Sequence, residues 1–122
     1  MSQPEQRDKR RTILPGNPQV RFRAAGQLFD RIPMANISHG GCLAMVPFQE
    51  AGALCLDTPV HELVILHPGM TANPIRARVA WTMAHAEGDE VAVGIEFEEM
   101  ARDTRIALVA VVEAAVLQQK QR

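Results

Sequence analysis

The stretch Ile75-Arg76-Ala77-Arg78-Val79-Ala80-Trp81 sets Ile75, Ala77, Val79 and Trp81 at every second position, with Arg76 and Arg78 between them. A period of two belongs to a strand with one face on a core. Val91, Val93, Ile95 and Phe97 repeat the pattern further on, and Glu87-Gly88-Asp89 between the two runs has the chemistry of a hairpin connection. Two antiparallel neighbours are therefore predicted, and the rest of the chain is read outward from them.

Upstream, Val60 to Leu66 is β-branched and apolar and closes on His67-Pro68-Gly69, a turn sequence. Val20, Phe22 and Ala24 alternate with Arg21 and Arg23 from Gln19 onward, before an Ala-Gly-Gln turn. Leu28 to Ser38 and Cys42 to Val46 add two more strands in a meander. Residues 49–59, broken by Gly52 and Pro59, have no clear period and read as a connection or a helical turn. Downstream, Asp103 to Gln119 has the length of a helix, with Ile106, Val109, Val112 and Val116 at helical spacing and Asp103 or Thr104 as N-cap. The valine-rich run from Leu108 to Val112 would also suit a strand. The fold class expected is all-β, a small six-stranded antiparallel β-barrel with a C-terminal α-helix.

A chain of 122 residues with 47% hydrophobic and 22% charged residues suits one globular domain with its own core. The net charge of −1 conceals an asymmetry. Residues 1–31 hold seven Arg/Lys against three Asp/Glu, net +4, which leaves six against eleven, net −5, for residues 32–122. Residues 1–18 are polar, basic and proline-bearing and read as a flexible arm on a folded unit of residues 19–122. The amino terminus has no apolar signal core, and the run from Ile106 to Leu117 is too short to span a bilayer and contains Glu113. No membrane insertion is expected, and the location expected is cytoplasmic. Two cysteines, Cys42 and Cys55, suit a reducing compartment and form no metal motif.

Enzymatic signatures are missing. Ser38 and His39 are adjacent, so on a strand they point to opposite faces and make a poor nucleophile and base pair. His61 and His67 would stand about 20 Å apart along a strand, too far for one metal ion. His39 and His85 read as surface residues. There is no Walker A or G-x-G-x-x-G sequence. No enzyme, metal or cofactor is expected. Single-stranded nucleic acid would need exposed aromatic platforms, and the chain has no Tyr, four Phe and one Trp on an acidic body.

The polar end of the second strand carries the chemistry. Asn36 and Ser38 stand two residues apart and project together, with Ile37 opposite, just before Gly40 and Gly41. Such glycines allow a positive φ or a close approach beneath a ligand. In the arm, Arg7 and Arg11 have the spacing R-x-x-x-R, while Asn36, Ser38 and Gly41 have the spacing N-x-S-x-x-G. In this order, on this strand plan and with the stretch Gly94-Ile95-Glu96-Phe97 in the last strand, the chain resembles the PilZ domain family in its stand-alone, single-domain form.

The resemblance implies a receptor for the bacterial second messenger cyclic di-GMP, with Arg7, Arg11, Asn36, Ser38 and Gly41 as binding residues. Guanidinium suits that ligand because it pairs bidentately with phosphate, forks onto guanine O6 and N7, or stacks on a base. Arg10 beside the motif, and Arg78 and Trp81 on a later strand, are further candidates as cation and stacking ring. Ordering of the arm over the nucleotide would relay the signal to an unidentified effector protein. The alternative is a PilZ-like protein-interaction module that binds no nucleotide.

Overall fold

The structure is a computed structural model and describes residues 11–84 and 88–120 of the chain. Among these are the strands β1 (Gln19–Ala24), β2 (Gln27–Ser38), β3 (Gly41–Pro47), β4 (Pro59–Leu66), β5 (Ile75–Ala84) and β6 (Glu90–Glu99), then the helix α1 (Arg102–Lys120). The strands close into an antiparallel barrel in the order β1-β2-β3-β6-β5-β4, with β4 returning to β1. The all-β barrel with a carboxy-terminal helix that the sequence pattern predicts is thus present.

Closing six strands requires them to bend, and bulges supply the bends. Register shifts fall between Val20 and Phe22, Met34 and Asn36, Val60 and Leu63, and Val79 and Trp81. Each adds a residue to one strand and inverts the alternation beyond it. Trp81 shows the consequence. Simple alternation puts it on the core face with Val79, but the shift after Val79 turns it outward, opposite Gly94, with 39% of its surface exposed.

The interior is filled from all six strands, with Val20, Phe22, Phe29, Val46, Val60, Leu63, Val79 and Val93 buried. Phe22 stacks on Phe29 with ring centroids 5.0 Å apart, which joins the first hairpin across the core. At one end of the barrel a single 3-10 turn, Ala51–Ala53, lies inside the unassigned stretch and buries Ala51 and Leu54. α1 crosses the other end and buries Leu108, Val112, Ala115 and Val116. Asp103 and Thr104 lie within its first turn, and their side chains bond across to the β4–β5 loop. Asn73 Nδ2 donates to Asp103 at 2.9 Å, and the Thr71 and Thr104 hydroxyls are 2.8 Å apart.

The open arm expected over residues 1–18 is narrowed at its inner end. Thr12 and Ile37 exchange both backbone hydrogen bonds, at 2.8 and 2.9 Å, and the N–H of Met34 donates to the carbonyl of Pro18. Thr12 and Leu14 are buried. The physical reason is that β1 pairs only with the first part of β2, from Gln27 to Pro33, so the motif half of β2 offers backbone groups to another partner.

Cys42, on β3 beneath that half of β2, is fully enclosed, and burial pushes its thiol up to about 12 against an opposing pull from Arg11. Cys55 is exposed. The native protein should therefore react with one equivalent of a thiol reagent and the denatured protein with two. A thiol pKa raised on folding contributes stability that is complete below the unfolded value of 9.0 and lost as pH rises toward about 12. Denaturation midpoints should fall above pH 9, and less steeply in Cys42→Ala; equal slopes would refute that origin.

Candidate functional site

β2 reaches the site through a bulge. Met34 faces inward opposite Ala44, the register then shifts, and Asn36 opposite Leu43 and Ser38 opposite Gly41 project to the outer face while Ile37 is buried. The shared direction of Asn36 and Ser38 is the i, i+2 relation of a strand. His39 and Gly40 make the two-residue connection to β3.

Ser38 is 2% exposed, and its hydroxyl is engaged in that turn. It accepts from the N–H of Gly40 at 3.2 Å and lies 3.4 Å from the carbonyl oxygen of Gly41, to which it donates. Its first role is to fix the turn. Gly41 has no positive φ, so its need for glycine is steric. It pairs with Glu96, and a Cβ there would overlap the carbonyl oxygen of Ile95. The glycine is required by β6 passing close to β3.

Arg11 enters from the segment paired to β2. Its guanidinium donates to Asn36 Oδ1 at 2.9 Å and lines, with Ser38, Gly41, Trp81 and Glu96, an open pocket of about 210 Å³ on the outer barrel face. The Trp81 ring covers Gly94, where a Cβ would overlap the indole. An isolated glycine in a strand is the sequence sign of such a close approach, and this one went unread as part of the site.

Arg78 is a different kind of cation from Arg11. It bonds Asp57 Oδ1 at 2.8 Å and Glu96, and lies 3.4 Å from Glu98. With three carboxylates around it, its charge is compensated within the protein, and it orients Glu96 at the pocket rim. His39 is the other residue that sequence reasoning passed over. Its side chain is only 20% exposed, and its Nε2 lies 3.3 Å from Glu113 of α1, so the motif turn touches the helix. Arg7, Arg10 and His85 lie outside the described residues.

Two substitutions separate support from recognition. Ser38→Ala should cost about 1 kcal/mol by loss of the turn hydrogen bonds. Gly41→Ala should cost about 1 to 3 kcal/mol through overpacking against β6. Chemical denaturation checks both, and an unchanged midpoint for Gly41→Ala would contradict the close approach.

A family model for the PilZ domain matches residues 5–114. Among solved structures, the chain is similar to the inhibitor of motility MotI/DgrA of Bacillus subtilis, with a TM-score of 0.68 and 16% identity over 92% of this chain and 50% of that one. It is also similar to MrkH of K. pneumonia in its apo state, with a TM-score of 0.74 and 16% identity over 93% and 52% of the respective chains. The chain thus spans about half the length of these structures, and at that identity the likeness is one of fold. No curated protein matches it. With the family model covering both motif-bearing segments and all six strands, the chain belongs to the PilZ domain family.

Proposed function

We propose that this chain is a receptor for cyclic di-GMP, bound over the pocket between Arg11 and Trp81. The observation that carries the reading is that Arg11, Ser38, Gly41 and Trp81, distant in sequence, line one outer pocket, with Asn36 bonded to Arg11 beside it. Membership of a family of receptor and regulatory domains supports it.

The pocket, at about 210 Å³, is smaller than the roughly 300 to 1,000 Å³ of sites that enclose a whole ligand. It accepts part of the ligand, a base against the Trp81 ring, while the remainder lies across the barrel face. Asn36 hydrogen-bonds the guanine edge once Arg11 leaves it for phosphate. Gly41 keeps β3 low beneath the ligand, and Ser38 fixes the turn that presents both.

Arg7 and Arg11 close over the phosphates from the amino-terminal side. A hydrogen bond to a charged group contributes roughly 1.5 to 3 kcal/mol, and two arginines can offset the ordering of a short segment. Arg10 is adjacent and secondary. Arg78, compensated by Asp57, Glu96 and Glu98, acts through Glu96 rather than on phosphate. Ordering of the arm changes the surface offered to an effector protein.

This is recognition without catalysis, a reading supported by the Ser38 hydroxyl being engaged with the backbone of its turn. Among the described residues no helix is long and apolar enough to cross a membrane. A cytoplasmic location suits a receptor for an intracellular messenger.

Calorimetric titration tests the reading. Cyclic di-GMP should bind with micromolar or tighter affinity and GTP should not. Arg7→Ala with Arg11→Ala should abolish binding at micromolar ligand, with the melting temperature nearly unchanged. Amide exchange across residues 1–11 should slow at saturation. A folded protein that gives no heat with cyclic di-GMP would leave the interaction module as the function.

A further inference from the structure

β4 covers only the first part of β5. Its pairs run from Leu63 with Ile75 to Pro59 with Arg78, and the backbone groups of Val79 are taken by Asp57 and Thr58 at 2.8 and 2.9 Å. There the chain turns away. Asp57 has a φ of +70°, and the N–H of Thr58 donates to the carbonyl of Cys55 at 3.0 Å to close a turn. Further along β5, Trp81, Thr82, Met83 and Ala84 pair with β6, and among the described residues no strand pairs with their other side. Alternate N–H and C=O groups on that side are left without a ladder partner. Trp81, Thr82 and Met83 are exposed, Met83 at 62%, so the adjoining loop does not cover them. Such edges are ordinarily guarded by lysine, proline or a bulge. The bulge of β5 falls before Trp81, and the residues from Trp81 to Ala84 include neither lysine nor proline.

We propose that this edge is a docking site for an extended segment of a partner protein, basic and alternately apolar, which adds as a strand beside β5 where β4 leaves it. The backbone groups fix the conformation of the occupant, since an extended chain meets alternate donors and acceptors along a strand. Its apolar side chains are set by the neighbours. Trp81 and Met83 project to one outer face in the i, i+2 relation, and Leu56, 67% exposed, precedes Asp57 where the docked strand would begin. Apolar side chains at alternate positions of the segment meet them.

Charge decides between a basic segment and a second copy of the chain. No Lys or Arg occurs between Arg31 and Arg76 or between Arg78 and Arg102. Asp57 lies at one end of the edge, and at the other Asp89 and Glu90 precede Val91, the partner of Ala84. Arg78 is already shared among Asp57, Glu96 and Glu98. The surroundings are therefore negative and suit a basic segment. Antiparallel pairing of two copies through this edge would bring the Asp57 end of each against the acidic hairpin end of the other, which like charges oppose.

A ladder this short with few apolar contacts makes a small interface, so the complex is weak and salt-sensitive. Docking of this kind needs no nucleotide, although Trp81 also lines the pocket.

The test uses the full chain, isotope-labelled and free of nucleotide, with a synthetic heptapeptide alternating lysine and valine as the probe. Backbone amide resonances from Trp81 to Ala84 and at Asp57 should shift and saturate at submillimolar peptide. A peptide with glutamate in place of each lysine should bind at least tenfold more weakly. N-methylation of alternate peptide nitrogens should abolish binding in one register and spare it in the other, because one edge of the added strand faces β5. Met83→Lys should weaken binding of the lysine peptide at least tenfold and keep the wild-type melting temperature, since Met83 is exposed. No shift at millimolar peptide, or shifts centred away from β5, would overturn the site. Equal binding of both methylated peptides would reduce the contact to side chains and overturn strand addition. Shifts of the same amides on raising protein concentration alone would overturn the basic segment and assign the edge to a second copy. Titration with cyclic di-GMP is a separate measurement, so failure here is distinguishable from failure of the receptor reading.

Discussion

The approach of β3 to β6 at Gly41 governs much of the molecule, because two backbones come close enough there to leave no room for a single carbon atom. Gly41 pairs with Glu96, and the adjacent carbonyl of Gly40 accepts from the N–H of Phe97 at 2.8 Å, so the β2–β3 turn is held against the end of β6. From that contact follow the position of Ser38 above the turn, the level of Asn36 on the outer face, and the contact of His39 with α1. Side chains that recognise a ligand can be re-aimed by rotamer changes, but a backbone seam cannot, and so the seam sets the geometry of the site.

Electrostatics divides the arginines near the site into two groups. Arg78 is surrounded by Asp57, Glu96 and Glu98 and belongs to the barrel wall. Among the described residues, Arg11 donates to a neutral partner, the amide oxygen of Asn36. A guanidinium held by a neutral acceptor keeps its full charge for an incoming anion, and exchanging that hydrogen bond for a phosphate leaves Asn36 available. Sequence alone offered both as cations near the same face, and only their partners separate a structural arginine from an available one.

The strands were legible because residues such as Val20, Phe22 and Ala24, or Val91, Val93 and Ile95, alternate without interruption, and because α1 has helical length between Met100 and the carboxy terminus. The joint spacing of Arg7, Arg11, Asn36, Ser38 and Gly41 pointed to a candidate site, and of these Arg11, Ser38 and Gly41 line one pocket. Bulges were not legible, since an added residue leaves no mark on composition while inverting the facing of all that follows, and simple alternation sets Trp81 on the core face with Val79 for that reason, although its ring also made it a binding candidate. Contacts between residues far apart were also hidden. Arg78 meets Asp57 across 21 positions, and Glu113 on α1 meets the motif turn at His39. The roles of Ser38 and Gly41 in supporting the turn were obscured differently, since the residues that suit ligand recognition also suit a tight turn, and only the neighbours reveal which demand comes first.

Because β4 returns to β1, the sheet is closed beside β1, and the part of β2 beyond β1 is occupied by Thr12 through both backbone hydrogen bonds at Ile37. Strand addition, the route by which many small domains capture extended peptides, is thereby closed off beside β1 and the motif half of β2, whereas the end of β5, from Trp81 to Ala84, pairs with β6 alone. Recognition beside the motif then depends on side-chain surfaces. It also depends on Thr12, since unpairing that residue would free the backbone of Ile37, one place beside the hydrogen bond that holds Arg11. Grip on the ligand and access to the sheet are thus set against each other along the same few residues.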